Sequence, residues 1–242
     1  MSNQKTFASR EVCDLVFYDY ATDKPILSVD YANTTTNGLT GESVFAYGGM
    51  GHPKRVGFNG DRGGTISFES QISTMKLYAM VTGGALATAA KFVKRVELAG
   101  ETGKLTLPDE DAVSGSIHVY AADDDCGTEL EDATLSGKEV TCSSVTPGKQ
   151  YVVYYMVNKT SGVESFKLKS TSFPKEVKIY GNTNIRDESG VDHTFRMICY
   201  KALPQPTFDL SFANNGDPSS FTITFDLEAD GNKDLIEYIR ED

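Results

Sequence analysis

The residues whose types suit them to chemistry fall into a few groups, beginning with the glycine-rich run GGMGHPKR at 48–55. Backbone N–H groups in such a run could cradle a phosphate. That cradle needs a strand before it, a helix after it and a Lys followed by Ser or Thr; here Pro53 and Val56 flank Lys54 and Arg55. The run reads instead as a tip whose Lys54, Arg55 and Arg62 meet acidic patches on a partner, with Phe58 as an apolar contact among them. Asp123, Asp124 and Asp125, followed by Glu129, Glu131 and Asp132, offer oxygens to calcium, but their spacing is not that of a calcium loop and a solvated turn explains them. Asp230, Asn232 and Asp234 alternate more suggestively. Leu235 stands where the sharp turn needs Gly, and capping of a short helix by Asn232 accounts for the pattern.

His52, His118 and His193 lie in three separate segments. Cys13, Cys126, Cys142 and Cys199 make no CxxC pair and have no His at a zinc spacing. Reduced, buried thiols are the favoured reading, with a Cys126–Cys142 bond as the alternative. No GxSxG elbow, HExxH helix or catalytic Cys and His signature is present. The sequence therefore points to a protein that is not an enzyme and needs neither cofactor nor metal.

The elements that would position these residues are mostly strands. Phe221, Ile223, Phe225 and Leu227 alternate with Thr222, Thr224 and Asp226, and Phe208, Leu210 and Phe212 alternate with polar residues ahead of a turn at 214–218. A period of two puts one face on a core and the other in water, which predicts an antiparallel pair. Residues 12–20 and 25–31 read as a hairpin, and 93–98 with 104–107 as another. A helix over 74–82 is predicted from Leu77, Met80 and Val81, with Ser73 as N-cap and Gly83 and Gly84 as the stop. The carboxyl end, 233–240, reads as one or two helical turns. The stretch 34–64 is rich in Thr, Asn and Gly and has little with which to build a core of its own. It is a flexible loop or an extended hairpin that becomes ordered against a partner.

An acidic break at 108–111 reads as a domain boundary. The short strands beyond it, spaced by turns, suggest a small immunoglobulin-like sandwich over 111–170. It would be inserted between an N-terminal core part, 1–110, and closing core strands, 171–242. The fold class is thus mainly β: an antiparallel sandwich or barrel with one flanking α-helix and an inserted immunoglobulin-like β-domain.

Bulk properties narrow the function. A formal charge of −11 repels phosphate, which argues against a protein that grips nucleic acid. Solubility is the plain account of that acidity. No signal-peptide pattern and no apolar run of membrane-spanning length is found. Synthesis and folding in a cytosol are expected.

Four pieces carry a family resemblance: the glycine-rich segment running into DRGGTISFE; the helix ending in MVTGG; FPKEVKIYGNTNIRDESG; and ALPQPTFDLSFANNGDPSSFTITFDLEAD. In this order the chain resembles the tail tube protein, or major tail protein, of long-tailed bacteriophages. The resemblance implies a virion tail component assembled in the host bacterial cytoplasm, a homo-oligomer of stacked hexameric rings around a channel. DNA would pass through without specific binding, and no membrane is involved. Partners would be a tape measure, baseplate and terminator, and a sheath if the tail contracts. The lumen hairpin of such proteins corresponds to about 44–69 here, and an acidic wall would let DNA slide. The alternative is a non-enzymatic binding module, such as a capsid decoration protein or surface adhesin.

Overall fold

The computed structural model describes residues 5–205, 207, 209–212, 214 and 216–241. Along the chain run β1 (Phe7–Ser9), β2 (Asp14–Asp19), β3 (Pro25–Val29), β4 (Thr34–Tyr47), β5 (Lys54–Ser70), α1 (Met75–Thr82), β6 (Ala85–Ala87), β7 (Ala90–Ala99), β8 (Lys104–Thr106) and β9 (His118–Ala121). There follow β10 (Thr134–Ser136), β11 (Glu139–Thr141), β12 (Gln150–Lys159), β13 (Ser165–Lys167), β14 (Val177–Asp187), β15 (Asp192–Pro204), β16 (Phe221–Leu227) and β17 (Ile236–Arg240). The fold is mainly β, with antiparallel sheets and, among the described residues, one α-helix. It divides into two compact units, Met1–Ala85 with Phe166–Asp242, and Leu86–Ser165.

The first unit is built on one sheet of order β3-β2-β14-β15-β16-β5-β4, with β1 added to β14 and β17 to β15. Only residues 30–33 separate β3, at one edge, from β4, at the other, so the sheet must curl until its edges approach. Thr35 Oγ1 donates to the Cys13 carbonyl at 3.0 Å across that closure. Alternation along the strands sends Leu15, Phe17, Ile66, Phe68, Val177, Ile179, Ile223 and Phe225 into one core. The Phe17 ring stacks on Phe225 with centroids 5.3 Å apart. Helix α1 buries Leu77, Tyr78, Ala79 and Val81. Its N-cap is Thr74, whose Oγ1 accepts from Leu77 N at 3.1 Å, in place of the expected Ser73. The helix ends on Gly83 at φ 69°, where a Cβ would sit 2.2 Å from the Phe173 carbonyl oxygen, so only glycine fits.

Two strand-level expectations fail here. Phe208 lies outside the described residues, but 209–212 form no strand, and Leu210 and Phe212 are exposed. β16 finds its partners elsewhere: it pairs along its whole length with β5, from Phe221↔Ser70 to Leu227↔Gly64, and through Phe225, Asp226 and Leu227 with β15. The carboxyl end is also not helical. β17 completes β15 from Phe195↔Arg240 to Cys199↔Ile236, because the edge of β15 offers backbone partners that an isolated helical turn lacks. Asn232 caps nothing; the turn before β17 is closed by Asp230, whose Oδ1 accepts from the N–H groups of Asn232 and Asp234, both at 2.8 Å.

The second unit holds two three-stranded sheets, β7-β12-β9 and β10-β11-β8, around a core that includes Leu105, Val119, Val140, Val153 and Tyr155. The hairpin expected from 93–98 and 104–107 does not form. β7 pairs with β12 and β8 with β11. The acidic break at 108–111, taken as a boundary in the sequence, lies inside this unit. Asp109 is held there by Lys94 Nζ at 2.9 Å and by the Tyr155 hydroxyl at 2.7 Å, an internal ion pair and not a linker. Asp125 is likewise bound by Arg95 at 2.8 Å and Tyr154 at 3.1 Å, which accounts for that acidic residue as part of a folded turn.

Candidate functional site

β4 and β5 form one ladder from Thr34↔Glu69 to Tyr47↔Lys54. Its base is welded into the first unit, because β5 also pairs with β16 as far as Gly64↔Leu227, and Ile66 and Phe68 are only 1% exposed. Beyond Gly64 each strand has only the other as a partner among the described residues. Thr40–Tyr47 and its partner thus form a two-stranded arm roughly 26 Å long at about 3.3 Å per residue. Register shifts between Gly41 and Ser43, and between Ala46 and Tyr47, each leave an extra residue on β5 and sharpen the local twist. A free two-stranded ribbon is marginal in water, so the welded base is what makes this arm possible.

The two faces of the arm follow from the pairing. At the base, the side turned away from the core carries Thr34, Thr36, Ser67 and Glu69, as a wet face should. Farther out, the same phase of β4 brings up Val44 and Ala46, paired with Phe58 and Val56. Val44 is 63%, Val56 51% and Phe58 59% exposed, so a face that begins polar ends as an apolar stripe in water. On the opposite face the Phe45 ring lies over Gly57, where a Cβ would come within 3.0 Å of it, and Lys54 Nζ sits 4.0 Å from the ring centroid. Glycine at 57 lets the ring lie flat on the ribbon, and the cation–π contact holds it there. Arg55 Nε donates to the Gly48 carbonyl at 3.0 Å and braces the turn.

Of the predicted contact residues, Lys54 and Arg55 therefore stand at the tip, Phe58 at the inner end of the apolar stripe, and Arg62 near the base opposite Gly41. The first three share the distal arm and Arg62 does not. Sequence reasoning missed Val44, Ala46 and Val56. The signal was the VFAY run facing VGF, whose common face becomes visible only once the register is known.

The other reactive groups are engaged elsewhere. Burial pushes the Cys199 thiol up to about 12 and the Cys13 thiol up to about 11. Cys142 is raised to about 11 by burial and by the Asp132 carboxylate that its thiol bonds at 3.0 Å. All four cysteines are free; Cys126 is exposed while Cys142 is buried. His193 bonds Asp187 at 3.0 Å, and that bond chiefly, with the Val191 and Ser189 N–H groups, holds the Asp187 carboxyl below its ordinary range.

Compared with known protein families, residues 8–240 match the YomU/Tube protein family. The chain belongs to that family. The match covers nearly the whole of both units, arm included, and is consistent with a phage tail tube protein. A search of curated proteins finds no match for this YomU/Tube chain. Among its described residues no helix is long and apolar enough to cross a membrane.

Proposed function

We propose that this YomU/Tube protein is a non-enzymatic structural component that polymerises into stacked hexameric rings, forming a phage tail tube through which DNA reaches the host. The observation that carries this reading is the β4–β5 arm: a ribbon rooted in the core, with outer edges that no other described residues pair and an apolar stripe in water. Such a ribbon is completed by strand or surface addition from neighbouring copies, which removes its edges and covers its stripe. The acidity fits a channel, since a wall of like sign to DNA lets it slide. The second unit reads as an immunoglobulin-like insert in the tube core, supported by its two antiparallel sheets over a separate core. Tape measure, baseplate and terminator proteins, and a sheath in a contractile tail, would be its partners, and the host cytoplasm its site of assembly.

Negative-stain microscopy of the purified protein tests the proposal. Hollow tubes of six-fold rings are expected on concentration. Protein that stays monodisperse and monomeric under all assembly conditions, and is absent from tails of the virion, would contradict it.

A further inference from the structure

The second unit carries a long strand edge with no partner among the described residues. β7 lies outermost in the order β7-β12-β9, and its 10 residues pair with β12 from Ala90↔Lys159 to Ala99↔Gln150 without a register shift. The other outer strands of this unit, β9, β8 and β10, have 4, 3 and 3 residues. A strand this long, with neither proline nor bulge, offers its outward N–H and C=O groups as a template for another strand. Its side chains are unfinished in the same way. Along the inward row of β12, Val153, Tyr155 and Val157 are 0 to 1% exposed, whereas Val96 and Leu98 beside them are half-buried and Phe92 is 36% exposed. One more strand would close that row.

The charges of β7 say which strand. Lys94 is bound by Asp109 at 2.9 Å and Arg95 by Asp125 at 2.8 Å. Lys91 and Glu97 are exposed and have no side-chain partner among the described residues. They share the outward row, carry opposite charges and stand symmetrically on either side of Lys94. From this we infer that β7 pairs antiparallel with β7 of a second copy about a two-fold axis at Lys94, so that the second units of two copies share one continuous sheet. That register sets Lys91 opposite the second copy's Glu97, and Glu97 opposite its Lys91, which makes two ion pairs across the edge. On the inward row it sets Phe92 opposite Val96 twice and takes both from water. Lys94 meets its own counterpart, but each already holds an Asp109 carboxylate, so the pair is neutral. An axis at Val93 or at Arg95 leaves Lys91 and Glu97 without opposite charges. A two-fold contact relates copies that point opposite ways, so it has no place between neighbours in a polar stack of rings. It joins copies outside a tube, and the inference stands without the tube reading.

The test is a charge exchange across the axis, read in the full chain by sedimentation velocity on the soluble fraction after any tubes are pelleted. Wild type should show a monomer–dimer equilibrium, and hydrogen exchange in peptide 90–99 should slow as the dimer fills. Lys91→Glu alone and Glu97→Lys alone each turn both ion pairs into like-charge pairs, and each should raise the dimer Kd by about tenfold. Lys91→Glu combined with Glu97→Lys restores both pairs with the signs exchanged and should bring the Kd back towards wild type. Both positions are exposed, so all three variants should melt with wild type. A wild-type chain that stays monomeric at every concentration overturns the inference. A dimer in which exchange of 90–99 is unchanged also overturns it, because the contact then lies elsewhere. If β7 is protected but the single variants dimerise as well as wild type, or the double variant no better than the singles, another strand or another register occupies the edge and the inference again falls. None of these results bears on whether tubes form, which microscopy decides separately.

Discussion

Replacing Phe225 by Ala and, separately, Phe58 by Ala separates the frame from the arm. Phe225 is fully buried, stacks on Phe17 at 5.3 Å and stands in β16 between Ile66 of β5 and Pro204 of β15. Its loss removes an aromatic ring from the centre of the curled sheet and leaves a cavity that three strands bound, with a cost of about 3 to 5 kcal/mol. Phe58 is 59% exposed and pairs with Val44 on the two-stranded arm, so its truncation should cost no more than about 0.5 kcal/mol. Urea unfolding, followed by hydrogen exchange in β16 peptides, reads both. With a urea slope of about 2 to 3 kcal/mol per molar, Phe225→Ala should lower the midpoint by about 1.5 M and Phe58→Ala by about 0.2 M or less. Assembly should respond in the opposite order, with Phe58→Ala folded but poor at forming tubes. Equal losses of stability in the two variants would refute the division between a rigid frame and an arm that acts outside it.

Other expectations follow from particular contacts. Thr74→Ala removes the α1 cap and should cost about 1 kcal/mol, seen as a lower melting temperature that Thr74→Ser restores. Because the folded Asp187 carboxyl lies below its unfolded range near 4, it contributes stability that is present above that range and lost as pH falls through its folded value. Melting temperature should therefore fall on acidification below about pH 4, and Asp187→Asn should flatten that part of the profile. Under native conditions at neutral pH, maleimide should label exposed Cys126, while buried Cys142 and Cys199 become reactive only on unfolding; labelling of Cys199 in the native protein would contradict its burial.

Much of the frame was legible because alternation is a local signal. Phe221–Leu227, the β2–β3 hairpin and the stop at Gly83 after Val81 were all readable from it. The pairings were not. β5 and β16 meet across most of the chain, and nothing in either strand names the other. The alternation of Phe208, Leu210 and Phe212 is a sound strand signal, but it does not name a partner, and β16 pairs with β5 along its length and with β15 at its end. The β14–β15 hairpin at the centre of the sheet carried its own period of two at Val177, Ile179 and Ile185, obscured by Gly181 and by the polar run Asn182, Thr183, Asn184. At the arm, composition already announced a segment without a core. That one face turns from threonine to valine and phenylalanine depends on the register shift between Gly41 and Ser43, which moves Val56 and Phe58 of β5 opposite Ala46 and Val44 and which composition does not encode.

The most direct measurement is limited trypsin digestion of the same protein before and after assembly, with cleavage scored after Lys54, Arg55 and Arg62. In the unassembled chain the arm is a two-stranded ribbon with exposed side chains, and cleavage should fall there first. In tubes those sites should be protected while exposed turns elsewhere remain cut. Equal cleavage of the arm in the free and assembled protein would contradict the claim that the arm is what joins one copy to the next.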